Sequence, residues 1–166
     1  MVEQAFDRLC EVLDAEVERQ ELVLAVLRAQ RDAILTGDVE YLDAKTEALN
    51  ALVREVHRAQ RARLEVLREL VAALNLSPGQ QTMTDLINKA DDPWRSRLRE
   101  LQTRLRAVVR ESSGLVRSNA VLLRRSMHVV DKCLNTLQQN EAAAEYNARG
   151  AGPERACRAA LIDRKG

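Results

Sequence analysis

The sequence has few aromatic residues and almost no net charge. Only four of its 166 residues are Phe, Trp or Tyr, and 26 Lys and Arg against 25 Asp and Glu give a net charge of +1. The charge balance argues against a uniformly basic nucleic-acid-binding protein and against an acidic disordered chain. No apolar run approaches the roughly 18 residues of a membrane span, and the acidic N-terminal stretch lacks a signal-peptide core. We therefore expect neither a membrane span nor a secretory signal.

Residue sets typical of metal sites and catalysis are also scarce. The three cysteines, Cys10, Cys133 and Cys157, stand far apart and form no CxxC motif. This spacing argues against a disulfide framework and a zinc cluster, and predicts free thiols in a cytoplasmic protein. His57 and His128 have no partner at metal-ligand spacing, and no nucleophile elbow, phosphate loop or HExxH motif occurs. The sequence thus predicts no catalytic residue, no metal and no cofactor, and hence a protein that is not an enzyme.

Glycine and proline are rare, and their placement divides the chain. Three long stretches contain at most one of these helix-breaking residues, which disfavour a helix interior by about 1 and 3 kcal/mol respectively. We predict helices at about 2–36, 38–75 and 93–139, with a connector at 76–92 in which TDLINKA (84–90) forms one or two helical turns. Residues 1–139 then form a helical bundle domain. Residues 140–166, which lack an apolar stripe, form a flexible C-terminal tail.

Apolar residues recur at spacings of three and four within each predicted helix, which puts them on one face. The clearest series lies in the third helix: Leu98, Leu101, Leu105, Val108, Leu115, Leu122, Val129 and Cys133. Because the repeat continues over several heptads, it indicates coiled-coil-like packing. The segment Ser112-Ser113-Gly114 interrupts this helix and predicts either a mild kink or a hinge.

The turn residues and the charges predict how the helices pack. Gly37 can close the first helix in the left-handed conformation and Asp38 can cap the second, which gives an antiparallel hairpin. Residues 1–50 hold 12 acids and 5 bases, a net of −7, whereas residues 93–125 hold 9 Arg and 2 Glu, a net of +7. Packing the third helix parallel to the first pairs these charges. The fold class is all-α, an antiparallel helical hairpin plus a longer third helix in a three-helix coiled-coil-like bundle.

Two further contacts follow from this topology. Phe6, Leu74 and Trp94 should meet at one end of the bundle and close it. Asp92 and Pro93 read as the N-cap and first residue of the third helix.

The third helix carries a second apolar seam that the hairpin cannot cover. A helix that starts near 93 passes the level of Gly37 at about residue 130, yet apolar residues continue beyond it. An exposed apolar stripe usually marks an interaction site. The sequence therefore predicts a protein-binding surface made of Asn119, Leu123, Met127, Val130, Leu134 and Leu137. Asn119, at its border, either fixes helix register or contacts the backbone of a bound segment.

Three motifs stand out along the chain. The connector reads LNLSPGQQTMTDLINKA at 74–90, the third helix reads RSNAVLLRRSMHVVDKCLNTL at 117–137, and EYNARG carries Tyr146 and Gly150. Together they resemble the FlgN family of flagellar export chaperones. The resemblance implies a small cytoplasmic protein that binds the disordered C-terminal segment of hook–filament junction proteins, the FlgK- and FlgL-like hook-associated proteins. It would keep them unassembled and deliver them to the flagellar type III export apparatus. The predicted surface would then hold the client.

Two other functions fit parts of the sequence. A coiled-coil adaptor would use the same stripe for self-association as a homodimer. A nucleic-acid-binding regulator would use the Arg-rich stretch 95–125, although neither aromatic stacking groups nor a groove-reading motif accompany it. The acidic first helix offers these arginines an intramolecular partner, so nucleic acid is not the expected ligand.

Overall fold

The computed structural model of the chain is all-helical. It describes the backbone of residues 2–77 and 82–150, and the side chains of residues 2–77 and 82–140. Over these residues it contains no strand and has four helices: α1 Val2–Thr36, α2 Val39–Ala73, α3 Met83–Lys89 and α4 Trp94–Gly150. The all-α prediction is confirmed. The helical turns predicted at 84–90 correspond to α3, and the predicted end of the last helix at 139 was too early.

The chain divides into two compact units, Met1–Leu122 and Leu123–Gly166. Unit 1 holds α1, α2, α3 and the first part of α4, and unit 2 holds the rest of α4. The division of the chain into a domain at 1–139 and a flexible tail at 140–166 stays a prediction. Residues 151–166, with Cys157, lie outside the described residues.

The turn between α1 and α2 has the predicted chemistry. Gly37 has a φ of +72°, in the left-handed region that glycine adopts without steric cost. The amide of Asp38 then donates to the Ala33 carbonyl at 3.1 Å, as in a Schellman motif. The Asp38 carboxylate accepts a hydrogen bond from the Tyr41 amide at 2.9 Å and caps α2.

The connector holds a capping box that the sequence analysis missed. The Thr82 hydroxyl accepts from the Asp85 amide at 3.2 Å, and the Asp85 carboxylate accepts from the Thr82 amide at 3.1 Å. This reciprocal pair is readable from the T-x-x-D spacing, as in S/T-x-x-E/Q boxes. It starts α3, whose Leu86 and Ile87 are buried in the core. The short helix is therefore a core element rather than a surface connector.

Trp94 closes one end of unit 1, as predicted. Its ring stacks on Phe6 with centroids 6.1 Å apart, and its indole N–H donates to Asp7 at 2.6 Å. Both aromatic residues and Leu74 belong to one hydrophobic cluster. The N-cap prediction for α4 was wrong in detail: the helix begins at Trp94, and the Asp92 carboxylate accepts a hydrogen bond from the Ser96 hydroxyl instead.

The core of unit 1 is dense at the Trp94 end and thin toward the Gly37 turn. The large cluster includes Leu9, Leu70, Leu86 and Leu98, all fully buried. Burying a side chain of this size contributes about 1.5–3 kcal/mol. Toward the turn, a second cluster has only three buried residues, Val23, Leu27 and Val56. The packing therefore differs sharply along the length of unit 1.

Polar contacts fix the direction in which α1 and α2 pack. They join Arg8 to Glu69, Glu16 to Arg63, and Gln30 to Thr46. The sequence separation of these pairs falls from 61 to 47 to 16 residues toward the Gly37 turn. This decrease is the pattern of an antiparallel hairpin.

Ion pairs fix the register between α1 and α4. They join Asp14 to Arg97, Glu21 to Arg104, and Arg28 to Glu111. Each pair is separated by 83 residues in sequence, so both helices advance by one heptad from each pair to the next. A constant separation of this kind means that the two helices run parallel, as the charge distribution predicted.

One ion pair between α1 and α2 is buried. The Glu16 side chain is almost fully buried, and its two oxygens accept from Nη1 of Arg63 at 3.0 and 2.9 Å. Burial raises the pKa of the Glu16 carboxyl, and the charge of Arg63 offsets only part of this. Nε of Arg63 is also buried and has no partner among the described residues. Such a pair specifies which helix faces meet more than it adds stability.

We predict that breaking this pair costs more than removing it. Arg63→Met should destabilise the fold by about 3 kcal/mol at pH 7, because an unpaired carboxylate stays buried. The double variant Glu16→Leu/Arg63→Met should lie within about 1 kcal/mol of the wild type. Urea unfolding of all three proteins measures this.

The pH dependence of Arg63→Met tests the cause. Because the folded pKa of Glu16 is raised, its protonated form favours the fold. That contribution is present at low pH and is lost as pH rises through the folded pKa. The cost of Arg63→Met should therefore shrink between pH 7 and pH 5, and a cost unchanged by pH would contradict the assignment.

The ion pairs Asp14–Arg97, Glu21–Arg104 and Arg28–Glu111 form a ladder between α1 and α4. This ladder predicts unequal effects of two charge reversals. Arg104→Glu sets an acid against Glu21 and should cost about 0.5–1 kcal/mol. Arg106→Glu is the matched control, since no ion pair of Arg106 is found among the described residues, and it should change stability by less than about 0.3 kcal/mol. The difference should shrink in high salt because exposed charges are screened. Equal melting temperatures for the two variants would mean that the ladder does not stabilise the register.

Candidate protein-binding surface

The two apolar seams of α4 differ in burial. The first begins with Leu98 and Leu101, which are fully buried in unit 1. It continues through Ser112 and Asn119, which are 7% and 4% exposed, and ends at the half-buried Leu122. In the described part of α4 beyond that point, residues 123–140, every side chain is exposed.

The second seam forms an exposed apolar stripe on unit 2. Five of the six predicted site residues make it up: Leu123, Met127, Val130, Leu134 and Leu137. Their spacing of four, three, four and three residues puts them on one face of α4. Met127, Val130, Leu134 and Leu137 are each more than half exposed. A stripe with this repeat has the pattern that a coiled-coil helix presents to a partner helix.

Asn119 lies in unit 1 and has a contact of its own. Its Nδ2 donates to the Leu27 carbonyl of α1 at 2.9 Å, and a longer contact of 3.5 Å reaches Gln30 Oε1. Its Oδ1 is buried without a hydrogen-bond partner among the described residues. Of the two roles expected from the sequence, these contacts support the fixing of register between α1 and α4. A contact between Asn119 and a bound protein stays a prediction.

Burial on α4 stops earlier than the sequence estimate of residue 130. The ladder offset of 83 residues, and the 87 residues between Arg31 and its partner Ser118, set the end of α1 level with about residues 119–123. The estimate assumed that the two helices start together. The Trp94–Asp7 bond instead pairs the first residue of α4 with the seventh of the chain. Cys133, which belongs to the first seam in the sequence, lies beyond this level and is exposed.

The described residues were compared with the requirements of metal sites, membrane spans and reactive thiols. Across 2–77 and 82–140, no group of three or more His, Cys, Asp or Glu side chains is arranged to hold a metal ion. No helix in the described part of the chain is long and apolar enough to cross a membrane. Cys10 is half-buried, and burial raises the pKa of its thiol, which disfavours the reactive thiolate.

An all-helical protein that leaves a heptad stripe uncovered belongs structurally with proteins that bind other helices. A model of the FlgN protein family matches residues 1–154. The chain therefore belongs to the FlgN family, which is a family of flagellar export chaperones. A comparison with curated proteins and with solved structures finds no match to either.

We predict that two substitutions of Asn119 differ in how much they destabilise the fold. Asn119→Leu should stay within about 1 kcal/mol of the wild type, because it removes an unpaired buried acceptor while losing one hydrogen bond. Asn119→Asp should cost more than about 2 kcal/mol, since a carboxylate cannot donate to the Leu27 carbonyl and buries a charge. Urea unfolding of the two variants measures the difference. Similar losses of stability in the two variants would show that the fold needs the hydrogen bond of the Asn119 amide, and not only a side chain of its shape.

Proposed function

We propose that this protein is a cytoplasmic chaperone for hook–filament junction proteins, the FlgK- and FlgL-like hook-associated proteins. It binds their disordered C-terminal segments, keeps them unassembled and delivers them to the flagellar type III export apparatus. The observation that carries the proposal is the stripe of five exposed apolar residues on α4. It occurs in a helical protein that belongs to an export chaperone family.

The client-binding surface is the unit 2 stripe from Leu123 to Leu137. A client segment that folds as an amphipathic helix would pack its own i, i+3, i+4 and i+7 residues against it. Each Leu-sized anchor that becomes buried contributes about 1.5–3 kcal/mol. The flexible side chain of Met127 lets the surface adapt to more than one client.

Export requires that the client be released, and a disordered client helps to meet this need. A segment that orders only on binding loses conformational entropy at that moment, which lowers its affinity for a given contact area. In unit 1, α1, α2 and the first part of α4 then serve as a three-helix coiled-coil-like bundle. Its role is to hold α4 in register through the ladder and Asn119.

Self-association is the second candidate function, because the same stripe fits a second copy of α4. An obligate homodimer whose association does not respond to a client would favour the adaptor. A nucleic-acid-binding role has less support, since Arg97 and Arg104 pair with acids of α1. RNA binding that falls steeply with salt would favour that role instead.

We predict that adjacent valines on α4 differ in their effect on client binding. Val129 and Val130 are 59% and 56% exposed, but only Val130 lies on the stripe. Val130→Asp should weaken binding of the junction protein's C-terminal segment by about 1.5–3 kcal/mol, whereas the matched control Val129→Asp should change it little. Leu134→Asp/Leu137→Asp should lose several kcal/mol of binding with an unchanged melting temperature, because both residues are exposed.

Titration calorimetry with the full-length protein and the client segment measures these affinities, and sedimentation measures the oligomeric state. Equal losses for both valines would contradict the proposed surface. Unchanged affinity together with a collapsed melting temperature in the double variant would mean that these leucines belong to a core. Loss of dimerisation without loss of client binding would support the adaptor.

A further inference from the structure

Unit 1 has an open groove on the side where α2 and α4 flank α1. Its floor is formed by Gln20, Val23 and Leu27 of α1, and its volume is about 400 Å³. Leu49 and Val53 of α2 form one wall. The groove lies at the thin second cluster, where only three residues are buried. Here the apolar faces of the helices do not close over one another.

Small residues form part of the α4 wall of the groove. Ser112 and Ser113 lie between Val109 and Val116, which are 41% and 51% exposed. The helix runs through Ser112-Ser113-Gly114 without a break. The Ser112 hydroxyl is buried and has no hydrogen-bond partner among the described residues. An apolar trough with one unpaired polar group at its side resembles a binding site more than a packing defect.

The rim of the groove is basic. Arg117 lines it directly, and Arg106 and Arg110 lie three residues before Val109 and Ser113 on the same side of α4, where both are exposed. The nearby acid Glu111 pairs with Arg28 on the side of α4 that faces α1. Among the described residues, no ion pair involves these three rim arginines.

We propose that this groove binds an amphipathic helix whose apolar edge is flanked by Asp and Glu residues. Apolar anchors of the guest would contact Val53, Val109 and Val116, and its acids would pair with the rim arginines. Val109 and Val116 are one heptad apart, so two to three anchors spaced three or four residues apart fit between them. This proposal does not rest on the client surface, because every residue that it uses lies in unit 1.

The probe for this site is a fluorescein-labelled synthetic helix of about 18 residues, or five turns, with Leu at helical spacing flanked by Glu. The matched probe has the same Leu positions flanked by Lys. Fluorescence anisotropy with the full-length protein at low salt should show binding of the Glu peptide about tenfold or more tighter than the Lys peptide. Raising the salt should weaken the Glu peptide selectively.

Paired variants distinguish the effect of a rim arginine on peptide affinity from the effect of the protein's net charge. Arg110→Glu should weaken the Glu peptide about fivefold or more, whereas Arg125→Glu, an equal charge change outside the groove, should have little effect. Val53→Asp should weaken it about tenfold. Leu134→Asp, on the client surface, should leave it unchanged, so failure of this proposal and failure of the client surface are distinguishable.

Amide chemical shifts of the labelled wild-type protein locate the peptide without any variant. The proposal requires shifts at 49–53 and 109–117. Shifts confined to 123–137 would overturn it in favour of the client surface. Equal affinity for the Glu and Lys peptides would also overturn it, as would a homodimer that Val53→Asp dissociates, which would make a second copy the occupant.

Discussion

The parallel register between α1 and α4 is the constraint on which the rest of the arrangement depends. Three ion pairs with one sequence offset hold it, and the amide of Asn119 adds a buried bond to the Leu27 carbonyl. Each exposed ion pair contributes less than about 1 kcal/mol to the stability of the fold. The reversed order of charges in the third pair nevertheless disfavours a slip of one heptad, because such a slip would bring Glu21 beside Glu111 or Arg28 beside Arg104.

That register decides which part of α4 is core and which part is surface. Up to Leu122 the first seam faces helices that bury it, and beyond it the described side chains are exposed. A chain of ordinary composition thus presents an apolar stripe from Leu123 to Leu137. The client segment that we propose would gain helical structure and apolar burial together on this stripe.

The uneven core gives unit 1 two different ends. Phe6, Trp94 and the capped α3 close one end with a large cluster, whereas the end near Gly37 buries only a few residues and leaves a groove. Ser112 and Ser113 line this groove. The sequence shows these serines as an interruption of the third helix, but whether they border a groove depends on where α2 and α1 lie.

The sequence by itself determined the helices, the Gly37 turn, the parallel pairing of opposite charges and the five apolar residues of the stripe. These follow from local rules: breaker placement, capping residues, heptad spacing and net charge along each segment. Only the tertiary structure decided that α3 belongs to the core, that Asn119 is buried against α1 and that burial stops at Leu122. The reason is that each depends on an offset between helices distant in sequence. A periodic pattern repeats every heptad, so it fits several offsets equally well until Trp94 stacks on Phe6 and selects one.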